Sequence, residues 1–348
     1  MLTHIDSLEC CAGFEACCGQ GHGLAVCPAL GLLMTSNCMK DTLSLWGLPD
    51  GSSFGGAGAA VVSAGSGGGL RLVGTLGGVG SAAPMQFDFH SGNGVAGYLA
   101  FTPPSISRPL LLVTDHGHDA VHVVDVVGGG SHVGYLAPPG SIAGPRGVAA
   151  SGTAEALPLV AVSAWKYWDS GDHVVHLYRG SGAVWEAVRV IGGGFGRPGS
   201  RDGQLKAPHG LRFNRDGSVI CVADYDNNRA SVFRVGDGGF VRHMATEVSL
   251  PKDVEEVEGG WLVACINGVQ FVGDGGGRIR ILRNLDSRTS LVSVPGLGLV
   301  ARHRFNGLVQ MLSTPDLMAM WCMSSLRVAW ITAVVCSRGP LACKSTMP

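Results

Sequence analysis

Residues 206–240, KAPHGLRFNRDGSVICVADYDNNRASVFRVGDGGF, read as three short strands separated by tight reversals. "GLRF" has the alternation of a half-buried strand. "RDG", Arg215 to Gly217, is a turn, because Asp and Gly tolerate the backbone angles that a reversal needs. "SVICVAD" is a second strand, "YDNN" a second turn and "RASVFRV" a third strand, closed by "GDGG". Three strands joined this way form an antiparallel meander. One meander cannot cover both of its faces, so it requires neighbours.

The neighbours are present as repeats. The opening Pro208-His-Gly-Leu211 recurs as Pro145-Arg-Gly-Val148, and more weakly as Pro251-Lys-Asp-Val254 and Gly21-His-Gly-Leu24. The second strand "VICVAD" has counterparts at 110–115, 158–164, 260–266, 30–36 and 296–302. The third strand "RASVFRV" has counterparts at 120–126, 173–179, 42–48, 268–274 and 307–313. Glycine-rich insertions such as 51–69 account for the longer spacings. Six second-strand/third-strand pairs predict an all-β, six-bladed β-propeller.

The pattern P-x-G-L-x-F, D-G, V-x-V-A-D, N-x-R-x-x-V-F resembles the NHL-repeat family. Pro208, Gly210, Leu211, Asp216, Gly217, Val222, Asp224, Asn227, Arg229 and Phe233 carry the resemblance, with Asp115, Asp119 and Val121 in a second unit. The other units keep only the apolar strand pattern. The second-strand Asp is replaced at Ser36, Ser163, Cys265 and Arg302. The resemblance implies a rigid disc with two loop-rich faces that binds protein or, in some relatives, single-stranded RNA. No RING or B-box cysteine spacing accompanies it.

The expected organisation is an N-terminal segment 1–19, closing the ring as a strand or forming a short helix, a propeller over 20–314, a C-terminal helix over 315–336 and a disordered tail over 337–348. Thr314, Pro315 and Asp316 make a helix start. The apolar segment that follows has the length of a membrane span. Arg327 near its middle makes insertion cost roughly 2.5–3.5 kcal/mol, so no membrane span is expected. No secretory signal is visible at the N-terminus, and a cytoplasmic protein is expected. Glycine makes up 55 of 348 residues, against an ordinary share of about 7%, and marks turns and insertions here. A net charge of −1 gives the whole molecule no pull toward polyanions. Cys10, Cys11, Cys17 and Cys18 form CC-x5-CC, unlike the spaced thiolate pairs of a structural zinc site; they read as thiols in a reducing compartment.

Three groups are candidates for chemistry. The residue after the opening Pro or Gly is His22, Arg146, His209 or Lys252. If the repeats superpose, these side chains meet at one end of the central channel, where gathered positive charge favours an anionic group. The bland alternative is four solvated strand-end residues. The second group is Asp115, His116, His118, Asp119 and His122, residue types that ligate metals or exchange protons. In the repeat frame this stretch is a polar hairpin turn, with Asp115 matching Asp224 and His118 near Asn227, so a shared metal is not expected. The third, "DNNR" at 226–229, reads as structural: Asp224 and Arg229 fix the hairpin. "GGGFGRPGSRDGQ", 192–204, lacks the Lys-Ser/Thr ending and the following helix of a phosphate loop, and no G-x-S-x-G elbow is present.

The expected function is therefore non-enzymatic: a binding or scaffold disc with a protein partner, or RNA, or an anionic ligand at the channel mouth, and no cofactor. The alternative is a propeller hydrolase or lyase of the lactonase-like type with a metal at the channel mouth. The fixed cations Arg146 and Lys252 weigh against calcium there.

Overall fold

The computed structural model describes residues 23–47, 71–89, 97–103, 108–151, 157–166, 173–192, 197–273, 278–283, 289–294, 298–303, 321–322 and 334–335, with positions 39, 79, 82, 128, 247, 258 and 267 excepted. Five antiparallel meanders of four strands follow one another in sequence. Blade 1 is β1 (Leu24–Cys27), β2 (Leu32–Asn37), β3 (Thr42–Gly47) and β4 (Arg71–Gly77). Blade 2 is β5 (Leu99–Phe101), β6 (Leu111–Asp115), β7 (Ala120–Asp125) and β8 (Ser131–Ala137). Blade 3 is β9 (Pro145–Ala150), β10 (Leu159–Ala164), β11 (Val174–Ser181) and β12 (Val184–Ile191). Blade 4 is β13 (Pro208–Phe213), β14 (Val219–Asp224), β15 (Arg229–Arg234) and β16 (Phe240–Thr246). Blade 5 is β17 (Pro251–Val257), β18 (Gly260–Cys265), β19 (Gly268–Gly273) and β20 (Arg278–Arg283). First strands of successive blades lie side by side. The chain is a β-propeller.

The second strands explain why the repeat was readable. Each is buried on both faces, so it reads as a continuous apolar run. Leu111 and Val113 of β6 pack toward blade 1, while Leu112 packs toward blade 3. Val160 and Val162 of β10 face blade 2, and Leu159 and Ala161 face blade 4. Ile220 and Val222 of β14 join the core shared with blade 3, and Cys221 and Ala223 the one shared with blade 5. The hydrophobic core is thus a set of inter-blade layers, held by the two-residue period of each strand.

Six blades are not formed among the described residues. Among the described residues, blade 5 is followed by a two-stranded hairpin, β21 (Thr289–Val294) with β22 (Gly298–His303). The sixth unit rested on apolar pattern alone, which a simple hairpin also satisfies. Its expected third strand, 307–313, lies outside the described residues. The expected helix over 315–336 is also corrected. Within it, β23 (Trp321–Cys322) pairs antiparallel with β24 (Val334–Val335). A near-continuous apolar run has no period that separates helix from strand, so the capping signal at Thr314 carried too much weight. The segment 1–19 and the tail 337–348 lie outside the described residues. Among the described residues no helix is long and apolar enough to cross a membrane.

Near the axis, neighbouring first strands approach too closely for side chains between them. A Cβ on Gly147 of β9 would collide with the His209 carbonyl oxygen and stand 2.9 Å from the Gly210 Cα. One on Gly210 would collide with the Asp253 carboxylate. The backbone N–H of Gly147 donates to Ser163 Oγ at 2.8 Å, and the Ser163 hydroxyl donates in turn to the His209 carbonyl, tying blade 3 to blade 4. Gly147→Ala is therefore expected to cost about 1–3 kcal/mol through overpacking. Gly236→Ala, where an added Cβ meets nothing within 4 Å, should stay within about 0.5 kcal/mol. Urea-denaturation midpoints of the two variants check the contrast.

Candidate functional site

The close approach of the first strands leaves the residue before each inner glycine one direction to take, toward the axis. Arg146 and His209 stand at this place in β9 and β13, and Lys252 holds the equivalent position in β17, where Asp253 replaces the glycine. His22 lies outside the described residues. Blade 2 has Gly97 at the corresponding place and so contributes no side chain, and its next residue, Tyr98, is buried nearby.

A second ring of equivalent positions, not recognised in the sequence, is the residue that follows each second strand: Cys38, His116, Trp165, Tyr225 and Ile266. Trp165 and Tyr225 of this ring lie against the first. The Arg146 guanidinium sits 4.2 Å from the centre of the Trp165 ring. His209 stacks on Tyr225 with centroids 4.3 Å apart and lies 5.7 Å from Trp165. Lys252 Nζ is 5.8 Å from the Tyr225 ring centre. Cation–π attraction of this kind is worth more when water is excluded. The signal for this ring was one position beyond the aligned second strand, where aromatic residues recur without a shared motif.

The site is positive and largely dry. Arg146 is 4% exposed, Trp165 3% and His209 7%, while Lys252 and Tyr225 are partly exposed. Burial lowers the Arg146 pKa to about 10. Burial first, then the neighbouring charge of Arg146, lowers Lys252 to about 8. His116 falls to about 4 through burial and the charges of Arg146 and Lys166, so it is neutral near pH 7. Its Nδ1 is buried with no hydrogen-bond partner. Burial, and then Asp253, push the Tyr98 phenol up, while Arg146 works against them. His209 Nδ1 donates to the Ala207 carbonyl at 2.9 Å, which fixes its tautomer.

The reading of Asp224 and Arg229 as structural is borne out. Asp224 accepts from the Lys206 amide at 2.7 Å, from Asn227 and from Arg229 Nε at 2.7 Å. Arg229 also donates to the carbonyls of Ser200, Arg201 and Gln204, securing the loop into blade 4. The 192–204 loop is that connection in its described part.

The histidine-rich stretch repeats this design with other residues. Asp115 accepts from the Asp88 amide at 3.2 Å, as Asp224 does from Lys206. His118 and His122 donate to Asp115 at 2.9 and 3.1 Å, from the places that Asn227 and Ser231 hold relative to Asp224. His116 instead turns toward Gly144. Asp119 matches Asn228: both have positive φ, and both accept the amide of the segment leading into the next blade, at Gly144 and Leu250. Asp41 does the same for Phe89 in blade 1. Strand pairing corrects two alignments: Pro145 faces Ala164 as Pro208 faces Asp224, so Ala164, not Ser163, holds the Asp place in blade 3, and Asn37 faces Thr42 as Asp224 faces Arg229, so Asn37, not Ser36, holds it in blade 1. Among the described residues, no three His, Cys, Asp or Glu side chains are grouped to hold a metal.

One further constellation resembles a hydrolase triad in composition only. His243 lies between Ser231 Oγ and Asp202, at 3.1 Å from each. Ser231 is 0% exposed and its hydroxyl also reaches Asp224, so no substrate can approach it.

No protein-family model and no curated protein matches this chain in sequence. Among solved structures, the chain is similar to one titled as a nidogen/laminin complex, with TM-score 0.43 and 14% identity over 74% of this chain and 78% of that one. It is also similar to a protein from Lactobacillus plantarum, with TM-score 0.49 and 17% identity over 76% and 71% of the two chains.

The Asp115 pair makes a prediction with a definite sign. The hydrogen bond to Asp115 raises the pKa of the exposed His118. Burial would raise Asp115, but His122 and His118 outweigh it and hold it low. Stability from His118 is thus fully present below its ordinary value near 6.5 and is lost as pH rises through the higher folded value. The Asp115 contribution is present above its ordinary value and is lost as pH falls through the depressed folded one. Urea midpoints of the wild type and His118→Gln should differ most near pH 5–6 and converge at alkaline pH.

Proposed function

We propose that this protein is an NHL-like binding disc, and that the channel end bearing Arg146, His209 and Lys252 receives an acidic side chain of a protein partner. The observation that carries this reading is the convergence of two fixed cations over the rings of Trp165 and Tyr225. Burial first, and then the charge of Arg146, lower Lys252 to about 8, and a nearby anion would offset both. The guanidinium offers a planar fork of donors suited to a carboxylate. Burial strengthens the attraction by lowering the local dielectric. The NHL resemblance gains support from the Asp224–Asn227–Arg229 network and its counterpart at Asp115. A reducing, cytoplasmic setting is supported by Cys27, Cys38, Cys221 and Cys265, all buried thiols outside any disulfide. RNA is the weaker partner, since the described cations at this end are mostly enclosed rather than arrayed along an open groove.

Titration with polyglutamate and polyglutamine peptides, followed by tryptophan fluorescence, tests this reading. Saturable binding of polyglutamate alone is expected. Arg146→Ala and Lys252→Ala should each weaken it about tenfold, the worth of one charge-assisted hydrogen bond. Affinity should fall as pH rises through about 8, where Lys252 loses its proton. The mutational effect should shrink in high salt. Equal behaviour of the two peptides would overturn the proposal.

A further inference from the structure

The geometry points to a metal site in blade 2, where His122 Nδ1 and His132 Nε2 together bind one Zn2+ ion. The inference uses no residue of the channel end and does not depend on the anion-binding reading.

The strand register builds the site. His122 lies on β7, and His132 and Tyr135 lie on β8. In a regular strand, residues three apart point to opposite faces. β8 is not regular: Tyr135 pairs with His122, Gly134 with Val123 and His132 with Val124, so Val133 and Leu136 are extra residues in two bulges. A bulge re-aims the side chains beside it. His132 and Tyr135 therefore share the face of His122 and Val124, the face turned to blade 1. Phe87 packs on this face, its ring 5.1 Å from that of His122. The rings of His132 and Tyr135 lie 5.4 and 5.0 Å from His122 and 4.6 Å from each other. Blade 4 has a matching pair of bulges, which gathers Ser231, His243 and Phe240 instead. The frame recurs, and in blade 2 it carries two imidazoles.

Hydrogen bonding decides what those imidazoles offer. His122 is 2% exposed, and its Nε2 meets Asp115 Oδ2 at 3.1 Å. An ionised carboxylate only accepts, so the ring proton is on Nε2 and Nδ1 carries a lone pair. That Nδ1 is buried with no hydrogen-bond partner, and so is Nε2 of the neighbouring His132. Buried polar atoms without partners are costly, and two of them on adjacent rings mark a place for a ligand. A carboxylate behind a histidine is the usual support of a metal-bound imidazole, because it fixes the tautomer and raises the basicity of the free nitrogen. Burial, and then the charge of His122, lower the His132 pKa, which keeps that ring unprotonated near pH 7. His118 bonds the same carboxylate and His116 turns toward Gly144, so His122 finds its fellow ligand on the next strand and not in its own hairpin.

Imidazole nitrogen suits Zn2+. It binds at about 2.0–2.1 Å, and two imidazoles on one tetrahedral ion then stand with ring centres about 5 Å apart. The 5.4 Å between His122 and His132 fits that arrangement. Among the described residues no third His, Cys, Asp or Glu joins the pair. The remaining positions fall to water, admitted past His132 and Tyr135, which are both half-buried.

The test is a Zn2+ titration of the whole chain, reduced and stripped with a chelator, followed through 15N spectra of the histidine side chains. His122 Nδ1 and His132 Nε2 are expected to shift together and to saturate at one concentration, whereas Mg2+, which prefers oxygen ligands, moves neither. Cysteine thiolates also take zinc, so equilibrium dialysis compares the wild type with His132→Phe, which keeps a ring against Tyr135. The variant is expected to lose one equivalent of bound zinc, its affinity at this place falling at least about tenfold. Zinc that moves neither imidazole, or only one of them, sinks the inference, as does an unchanged zinc content in the variant. Should the variant fail to fold, the wild-type spectra decide alone.

Discussion

Everything at the channel end depends on how closely neighbouring first strands approach each other. Gly147 and Gly210 leave no room for a Cβ against the next blade. The Ser163 hydroxyl closes the remaining gap by joining the Gly147 amide to the His209 carbonyl. With backbones in contact, the residue before each glycine is carried inward. Packing of the main chain carries Arg146 and His209 to this place.

That placement creates an electrostatic conflict that the fold sustains. Two cations share a dry region lined by Trp165, Tyr225 and Tyr98, and burial makes the charged forms less favourable. The stability for this comes from elsewhere, chiefly from the inter-blade apolar layers. The Asp-centred turns add to it: Asp224 and Asp115 each gather donors from their own hairpin and from the preceding loop.

Much of the frame was legible in the sequence. Five second strands and their third strands lie where the repeats placed them, because a strand buried on both faces needs an unbroken apolar run. The Asp115 and Asp224 correspondence was legible too, since a hairpin that must satisfy its own amides calls for Asp, Asn or Gly at fixed offsets. The sixth blade was not reliably legible. Its second-strand Asp is replaced by Arg302, and apolar alternation alone also fits a two-stranded hairpin such as β21–β22. The second ring was hidden because Cys38, His116, Trp165, Tyr225 and Ile266 share a place but no chemistry.

By itself, the sequence determined the antiparallel meanders, the approximate places of the second and third strands of five blades and the structural role of Asp224 and Arg229, all of which follow from interactions between residues near in the chain. Tertiary structure alone decided that Arg146 lies on Trp165, that His209 stacks between the rings of Trp165 and Tyr225, and that Lys252 feels the charge of Arg146 across an intervening blade. Those contacts join residues from three blades. They exist only because rotation about a common axis brings equivalent positions together, and no local pattern in the chain encodes that distance.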